Sequence, residues 1–466
     1  MNIDDLKHRL NEVDVKVLQD FLLSLYVRYP EIADAIESLV LSNDPAAFTK
    51  AIKKRILSIK RGSKFIDYRE GSSFARDLEA IVADIKSGLL EDSPENAFEL
   101  AELFLDTAEP VLNRVDDSGG VVGEVYREAV LLWLQAAKRW DGGRVDWVDR
   151  VYRLYSKNDY GVFDPLLPNS HILLDKDQLT QLAWRYESDL RKTMKGSNEE
   201  DSLSWKALSA RVALGMVAEA MKDPALYERS VLIGSPEPND LQKKSIIDMY
   251  LKFGCADEAL RWLRKSWDAR FERDRLRLLD QAYEQKGDLE SQKRVRRQLY
   301  QLSRSYESLE HYLEILTEDE KEAARSQAVS EAEKGDVIVS ANLLLMLGET
   351  ERAQSLVLAR NDELGASYYG GLHDLAKCFD QDHCSLAATA CYRALLLGIL
   401  GEGRTKAYGH AARYYKILGI MANGISSYGP LVDHKDFIRQ LEQDHGRKRS
   451  FWNLVTKQTP SFPRSR

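Results

Sequence analysis

Turn-forming glycines recur in this chain at a spacing that stacked helix pairs explain. Gly254 and Gly287 lie 33 residues apart, and each follows a run with helical apolar spacing, 247–253 in one case and 279–286 in the other. Gly348, 61 residues beyond Gly287, closes a similar run at 341–347 and precedes Glu351 and Ala353. A single helix pair cannot bury its own apolar face, so neighbouring pairs must stack and the spacing repeats. No alternating apolar run of useful length and no hairpin signal interrupts the pattern, so strand content is expected to be negligible.

The interval is close to the roughly 34 residues of tetratricopeptide repeats. The fold class expected is therefore all-α: an α-solenoid of stacked, tetratricopeptide-like helix pairs over 202–466, with an N-terminal helical domain over 1–160. A connecting loop and long helix over 161–201 join them. In the first segment Val17, Phe21, Leu22 and Leu25 form one helical stripe. Phe48, Ile52, Ile56 and Ile59 form another, and Phe74, Leu78, Ile81, Val82 and Ile85 a third, stopped by Gly88. Ser93-Pro94 is a helix start, with Ser93 placed to cap. Gly and Pro cluster at 158–168, which reads as a boundary or a functional loop.

Composition narrows the classes further. The chain has 466 residues, 44% hydrophobic and 30% charged, which suits helices with one apolar and one solvated face. The net charge of −8 does not favour nucleic acid as the default partner. Four cysteines are too few for a disulfide framework. The acidic start Met1-Asn2-Ile3-Asp4-Asp5 lacks a signal pattern. The longest apolar stretch, 394–400, falls far short of the roughly 18 to 20 residues that span a bilayer. A cytoplasmic protein with reduced thiols and no membrane partner is expected.

The most distinctive phrases lie toward the C-terminus. They are Gly403-Arg404-Thr405-Lys406-Ala407-Tyr408-Gly409-His410-Ala411-Ala412-Arg413-Tyr414, then His434, then His445-Gly446-Arg447-Lys448-Arg449-Ser450-Phe451-Trp452. With Val115-Asp116-Asp117-Ser118-Gly119-Gly120 and Asn158-Asp159-Tyr160-Gly161-Val162-Phe163, they resemble an uncharacterised bacterial family of helical proteins. That family looks related to the helical portion of proteins bearing a SWIM zinc finger. The finger needs a Cys-x-Cys and a Cys-x-His pair, neither of which occurs here, so the resemblance implies a helical fold and no zinc.

Chemistry-bearing patterns are few. His373, Cys378, His383, Cys384 and Cys391 are ligand types for zinc, but their spacing matches no ligand motif and the cysteines sit among apolar residues, so no metal site is expected. Gly119-Gly120-Val121-Val122-Gly123 follows an acidic turn instead of a strand and lacks the lysine of a phosphate-binding loop. Neither His-Glu-x-x-His nor Gly-x-Ser-x-Gly occurs, and neither catalysis nor a cofactor is expected.

The expected role is a non-catalytic scaffold that holds a protein or peptide partner along the concave surface of 202–430. Arg404, Tyr408, His410 and Arg413 are candidate contacts, with Arg447, Lys448 and Trp452 closing the array, because Arg, Tyr and Trp dominate binding hot spots. The equal alternative packs Tyr408, His410 and Tyr414 between the last helices with their polar ends hydrogen-bonded. The alternative is a nucleic-acid-associated accessory protein using basic runs at 50–64, 293–297 and 447–466. There Lys50, Lys53, Lys54, Arg55, Lys60, Arg61 and Lys64, then Lys293, Arg294, Arg296 and Arg297, then tail cations interleaved with Phe451, Trp452 and Phe462, offer phosphate contacts and stacking.

Overall fold

The computed structural model describes residues 2–29, 36, 40, 44–140, 142–195, 205–366 and 369–457. Among these the chain is all-helical; an isolated parallel bridge between Ile66 and Val115 is not extended into a strand. Helices pack in neighbouring pairs, as a solenoid-like all-α fold requires. No described helix is long and apolar enough to cross a membrane. The chain divides into two compact units, 1–255 and 256–466.

The first unit contains α1 (Ile3–Leu10), α2 (Val15–Arg28), α3 (Pro45–Arg61), α4 (Tyr68–Gly88), α5 (Pro94–Leu105), α6 (Ala108–Leu112), α7 (Val121–Trp140), α8 (Trp147–Tyr155), α9 (Lys176–Lys195), α10 (Trp205–Ala220), α11 (Pro224–Gly234) and α12 (Asp240–Lys252). One core cluster runs from Phe48 to Leu226 and takes in the segments on both sides of 160 and of 201. At its centre Phe98, Trp133, Trp140 and Trp147 pack ring on ring, with centroids 5.0 to 6.1 Å apart. Each such side chain contributes about 1.5–3 kcal/mol by burial, which outweighs the tenths of a kcal/mol available from surface helix pairs.

Local signals act much as their chemistry dictates. The Asp117 carboxylate accepts from the Val122 and Gly123 amides at 2.9 and 2.8 Å, so the acidic glycine turn is the cap of α7. Pro94 opens α5, while Ser93 makes no side-chain cap bond. Gly88 ends α4 beneath Phe48, whose Cε1 lies 2.4 Å from where a Cβ would stand, so close approach demands glycine there. The 158–168 stretch is stitched into the unit. Asn158 donates to Asp164 at 2.7 Å and accepts from the Phe163 amide at 2.8 Å, and Val162, Phe163, Leu166 and Leu167 are buried.

The second unit contains α13 (Ala256–Leu263), α14 (Glu272–Lys286), α15 (Leu289–Ser303), α16 (Tyr306–Leu313), α17 (Glu318–Glu331), α18 (Val337–Met346), α19 (Thr350–Ala359), α20 (Tyr369–Gln381), α21 (Ser385–Gly401), α22 (Tyr408–Met421), α23 (His434–His445) and α24 (Arg449–Lys457). Within it α14 pairs with α15, α18 with α19, and α21 lies between α20 and α22.

A single turn design recurs along the sequence. Gly254, Gly287, Gly348 and Gly403 adopt left-handed φ, as do Lys222 and His383. In each case the next amide reaches back to a carbonyl of the preceding helix: Asp223 to Ala218, Cys255 to Tyr250, Asp288 to Tyr283, Glu349 to Leu344, Cys384 to Phe379 and Arg404 to Ile399, at 2.8 to 3.3 Å. These bonds satisfy carbonyls that a helix end leaves orphaned, and they reverse the chain into the next helix. Lys222, Gly254 and Gly287 fall at steps of 32 and 33 residues, and Gly348 and His383 at 35.

Candidate functional site

Helical periodicity in the second unit brings cations and aromatic rings onto one face. Four-residue steps place Tyr369, His373 and Lys377 along one side of α20, and α22 presents His410, Arg413 and Tyr414. The Tyr369 and Tyr414 hydroxyls are 2.7 Å apart, and the Tyr414 oxygen lies 3.1 Å from His373 Nδ1. The His373 ring stacks on Tyr369 with centroids 6.4 Å apart and lies 5.7 Å from Tyr414.

Partial burial lowers the pKa of His373, and Lys377, His410 and Arg413 push it further down while Asp374 opposes them. Lys377 of α20 and Arg413 of α22 thus both act on one imidazole beside a ring platform. Burial raises the Tyr414 phenol, so it stays protonated as a hydrogen-bonding hinge between the helices.

The residues singled out from sequence divide into two groups. Arg404, His410, Arg413 and Arg447 are exposed, and Arg404 pairs with Glu402. Tyr408, for which the sequence leaves both partner contact and core packing open, is buried with its ring edge-on to Phe451 at 6.2 Å. The spacing of Tyr408, Ala411, Ala412 and Tyr415 explains this, since it is a core stripe at helical period. Trp452 is half-buried, packs on Tyr415 and Phe451, and donates to the His445 carbonyl at 3.0 Å. Lys448 is half-buried beside it. His410 and Arg413 are therefore brought together, joined by His373 and Lys377, while Tyr408 and Trp452 hold the last helices in place.

The cysteine–histidine set does not converge. Cys391 is buried, and burial pushes its thiol up to about 12. Cys378 is exposed, and His383 occupies the left-handed turn after α20. Among the described residues no three His, Cys, Asp or Glu side chains gather as a metal ion would need.

The basic runs fare differently. On α3, Ile52 and Ile56 are buried while Lys50, Lys53, Lys54, Lys60 and Arg61 are exposed, and Arg55 pairs with Asp84 at 2.5 Å. In the 293–297 run Lys293 pairs with Glu320 at 2.8 Å, Arg297 donates to Gln327 at 3.3 Å, and Arg296 is buried. Of the last run, Phe462, Arg464 and Arg466 lie outside the described residues.

Arg296 belongs to an ionic knot that sequence reading missed. Its Nε donates to Asp280 Oδ1 at 2.8 Å, and its Nη1 donates to the His311 carbonyl at 2.9 Å and to Glu314 at 3.2 Å. His311 Nε2 meets Asp280 Oδ2 at 3.0 Å. The knot ties α14, α15 and α16 together under a cavity of about 630 Å³ rimmed by Arg273 and Arg277. Its charges satisfy one another, so its evident work is structural.

No curated protein and no solved structure matches this chain. A family model does match, over residues 37–454, spanning nearly all of both helical units and the residues of the α20–α22 face. The chain belongs to that family of unknown function (DUF6880).

Proposed function

We propose that this chain is a non-catalytic helical scaffold, tetratricopeptide-like in kind, that holds a protein or peptide partner in the cytoplasm. The observation that carries the reading is the α20–α22 face, where His373, Lys377, His410 and Arg413 lie about the exposed Tyr369. Such a surface suits an acidic partner segment, because charges of one sign steer an oppositely charged chain and Tyr and Arg anchor it. Helix pairs in series offer extended surfaces of this kind. Four free cysteines agree with a reducing compartment.

The test is affinity capture from the native cell at low salt, with and without nuclease, comparing the unaltered chain with Lys377→Glu/Arg413→Glu. A stoichiometric protein that survives nuclease and is lost from the double variant is the expected result. Equal retention by the variant removes this face from the reading. The nucleic-acid alternative draws on the exposed lysines and Arg61 of α3. Retention of nucleic acid alone, abolished by nuclease and steeply salt-dependent, replaces the scaffold reading with it.

A further inference from the structure

One buried guanidinium in the second unit lacks half of its partners. Arg393, on α21, is 7% exposed. Its Nη1 donates to the Val432 carbonyl at 2.6 Å, and its carbon lies 4.3 Å from the Phe437 ring centroid and 5.3 Å from that of Tyr428. Nε and Nη2 are buried without any hydrogen-bond partner, and so is Nδ1 of His434. The carboxylate whose field reaches Arg393, Asp433, accepts from the Asp436 amide and caps α23. A buried donor left unmade carries a desolvation cost, and a charged donor more so. Nε and Nη2 together form the edge of a guanidinium that grips a carboxylate with two parallel bonds.

The same residue lines an open furrow. A cavity of about 520 Å³ flanks Arg393, bounded by Leu397, Leu431 and Phe437, with Asn361 and Asp362 at its rim. A second, of about 250 Å³, continues along α21 toward Arg404 and shares Gly365, Ala394 and Gly398 with the first. Ala390, Ala394 and Gly398 succeed one another at four-residue steps, so the floor is a stripe of small residues on one helix face. A Cβ added at Gly398 or Gly365 would meet nothing within 4 Å. Small residues let a backbone approach closely, and the Asn361 and Asp362 side chains can bond to peptide amides. An alkyl chain would leave those polar groups idle.

We infer that this furrow receives the C-terminal residue of a partner polypeptide, its carboxylate held side-on by Arg393 and its apolar side chain seated among Leu397, Leu431 and Phe437. A terminal residue carries carboxylate and side chain on one carbon, which matches a guanidinium set directly beside apolar walls. An internal Asp or Glu spends its side chain on the charge and leaves the walls empty. The half-buried Tyr428 ring covers the guanidinium and turns aside as the carboxylate enters. His434, whose pKa is lowered first by burial and then by Arg393, gains an anion in its field. The inference rests on the reading of the chain as a peptide-binding scaffold, and it names the chemistry of one partner segment.

The test uses the full-length chain and fluorescein-labelled hexapeptides ending in Leu, Val or Phe, each made as free acid and as carboxamide. Polarisation titrations are expected to show the acids binding at least about tenfold tighter than the amides, the scale of one charge-assisted bidentate contact. Arg393→Lys, which keeps the charge and loses the fork, is expected to erase that preference. Gly398→Leu, favourable for helix propensity, is expected to block every peptide while the melting temperature holds. Equal affinity for acid and amide overturns the inference, as does binding indifferent to Gly398→Leu. So does octanoate competing as well as the peptides, which would make the site one for small aliphatic acids. Failure of every hexapeptide to bind overturns it too. In that event, cell-derived capture that still depends on Lys377 and Arg413 leaves the scaffold reading intact, and loss of both removes both.

Discussion

Replacing Asp280 with Ala isolates what the ionic knot contributes. The aspartate is 6% exposed and accepts from Arg296 Nε at 2.8 Å, with His311 Nε2 at 3.0 Å from its other oxygen. Its removal leaves the Arg296 guanidinium, itself 6% exposed, facing a backbone carbonyl and the partly solvated Glu314. Breaking a buried pair costs about 3–5 kcal/mol because the remaining charge stays desolvated. Glu314 at 3.2 Å offsets part of that, so about 3 kcal/mol is expected. Asp280→Asn keeps an acceptor for Nε and is expected to cost about 1.5–2 kcal/mol.

For a unit of this size about 3 kcal/mol lowers the melting temperature by roughly 6–12 °C. Scanning calorimetry of the full chain is the assay, read on the transition that moves. The control is Asp280→Leu/Arg296→Met, which removes both charges and is expected to lie within about 1 kcal/mol of the parent. A shift under about 2 °C for Asp280→Ala, or a double variant as unstable as the single, refutes the argument that desolvation of Arg296 sets the cost.

Other measurements follow from the same geometry. His373, His434 and His445 all have lowered pKa values, each chiefly through burial, with Lys377, Arg393 and Lys448 respectively as the leading cations. The unfolded chain therefore binds more protons than the folded one just below the ordinary histidine pKa of about 6.5. Their stabilising effect is complete above that pH and is lost as pH falls through the folded values, so the melting temperature should decline from pH 6.5 to 5. A flat or rising profile contradicts it. At the left-handed turns, Gly348→Ala should cost about 1 kcal/mol, whereas His383→Gly should gain up to about 1 kcal/mol, both read from urea midpoints. Cys378 should react with a disulfide reagent in the native protein before any other thiol in 256–466, and Cys391 only on unfolding. Reaction of Cys391 at the same rate would mean the core around it opens.

The helix pairs were readable because glycine is the residue that enters a left-handed turn at least cost, and Gly254, Gly287 and Gly348 announced theirs. Lys222 and His383 make the same turn with ordinary side chains, held by the same backbone bond from the next amide to the preceding helix, so no composition cue marks them. Elsewhere periodicity misled. Val17, Phe21, Leu22 and Leu25 spell an inward stripe, yet α2 buries no residue and Phe21 is 58% exposed. A stripe says which side chains share a face, and only the neighbours decide whether that face is covered. Of the Tyr, His and Arg clustered near 404–414, His410 and Arg413 are exposed on α22, but Tyr408 belongs to its core stripe. Asp280 and Arg393 were invisible for a different reason. A charged residue in an amphipathic helix reads as solvated until tertiary contacts close over it, and no local pattern reports that event.

The four-ring cluster in 1–255 gives the molecule a spectroscopic address. Trp133, Trp140 and Trp147 lie within ring contact of one another or of Phe98, whereas in 256–466 Trp452 rests on Tyr415 and Phe451. Closely spaced indoles couple their transitions, so the near-ultraviolet dichroism of the chain should be dominated by the first unit. Followed alongside the far-ultraviolet signal, which all helices share, that band lets the loss of one unit's packing be timed against the other's in a single unlabelled sample.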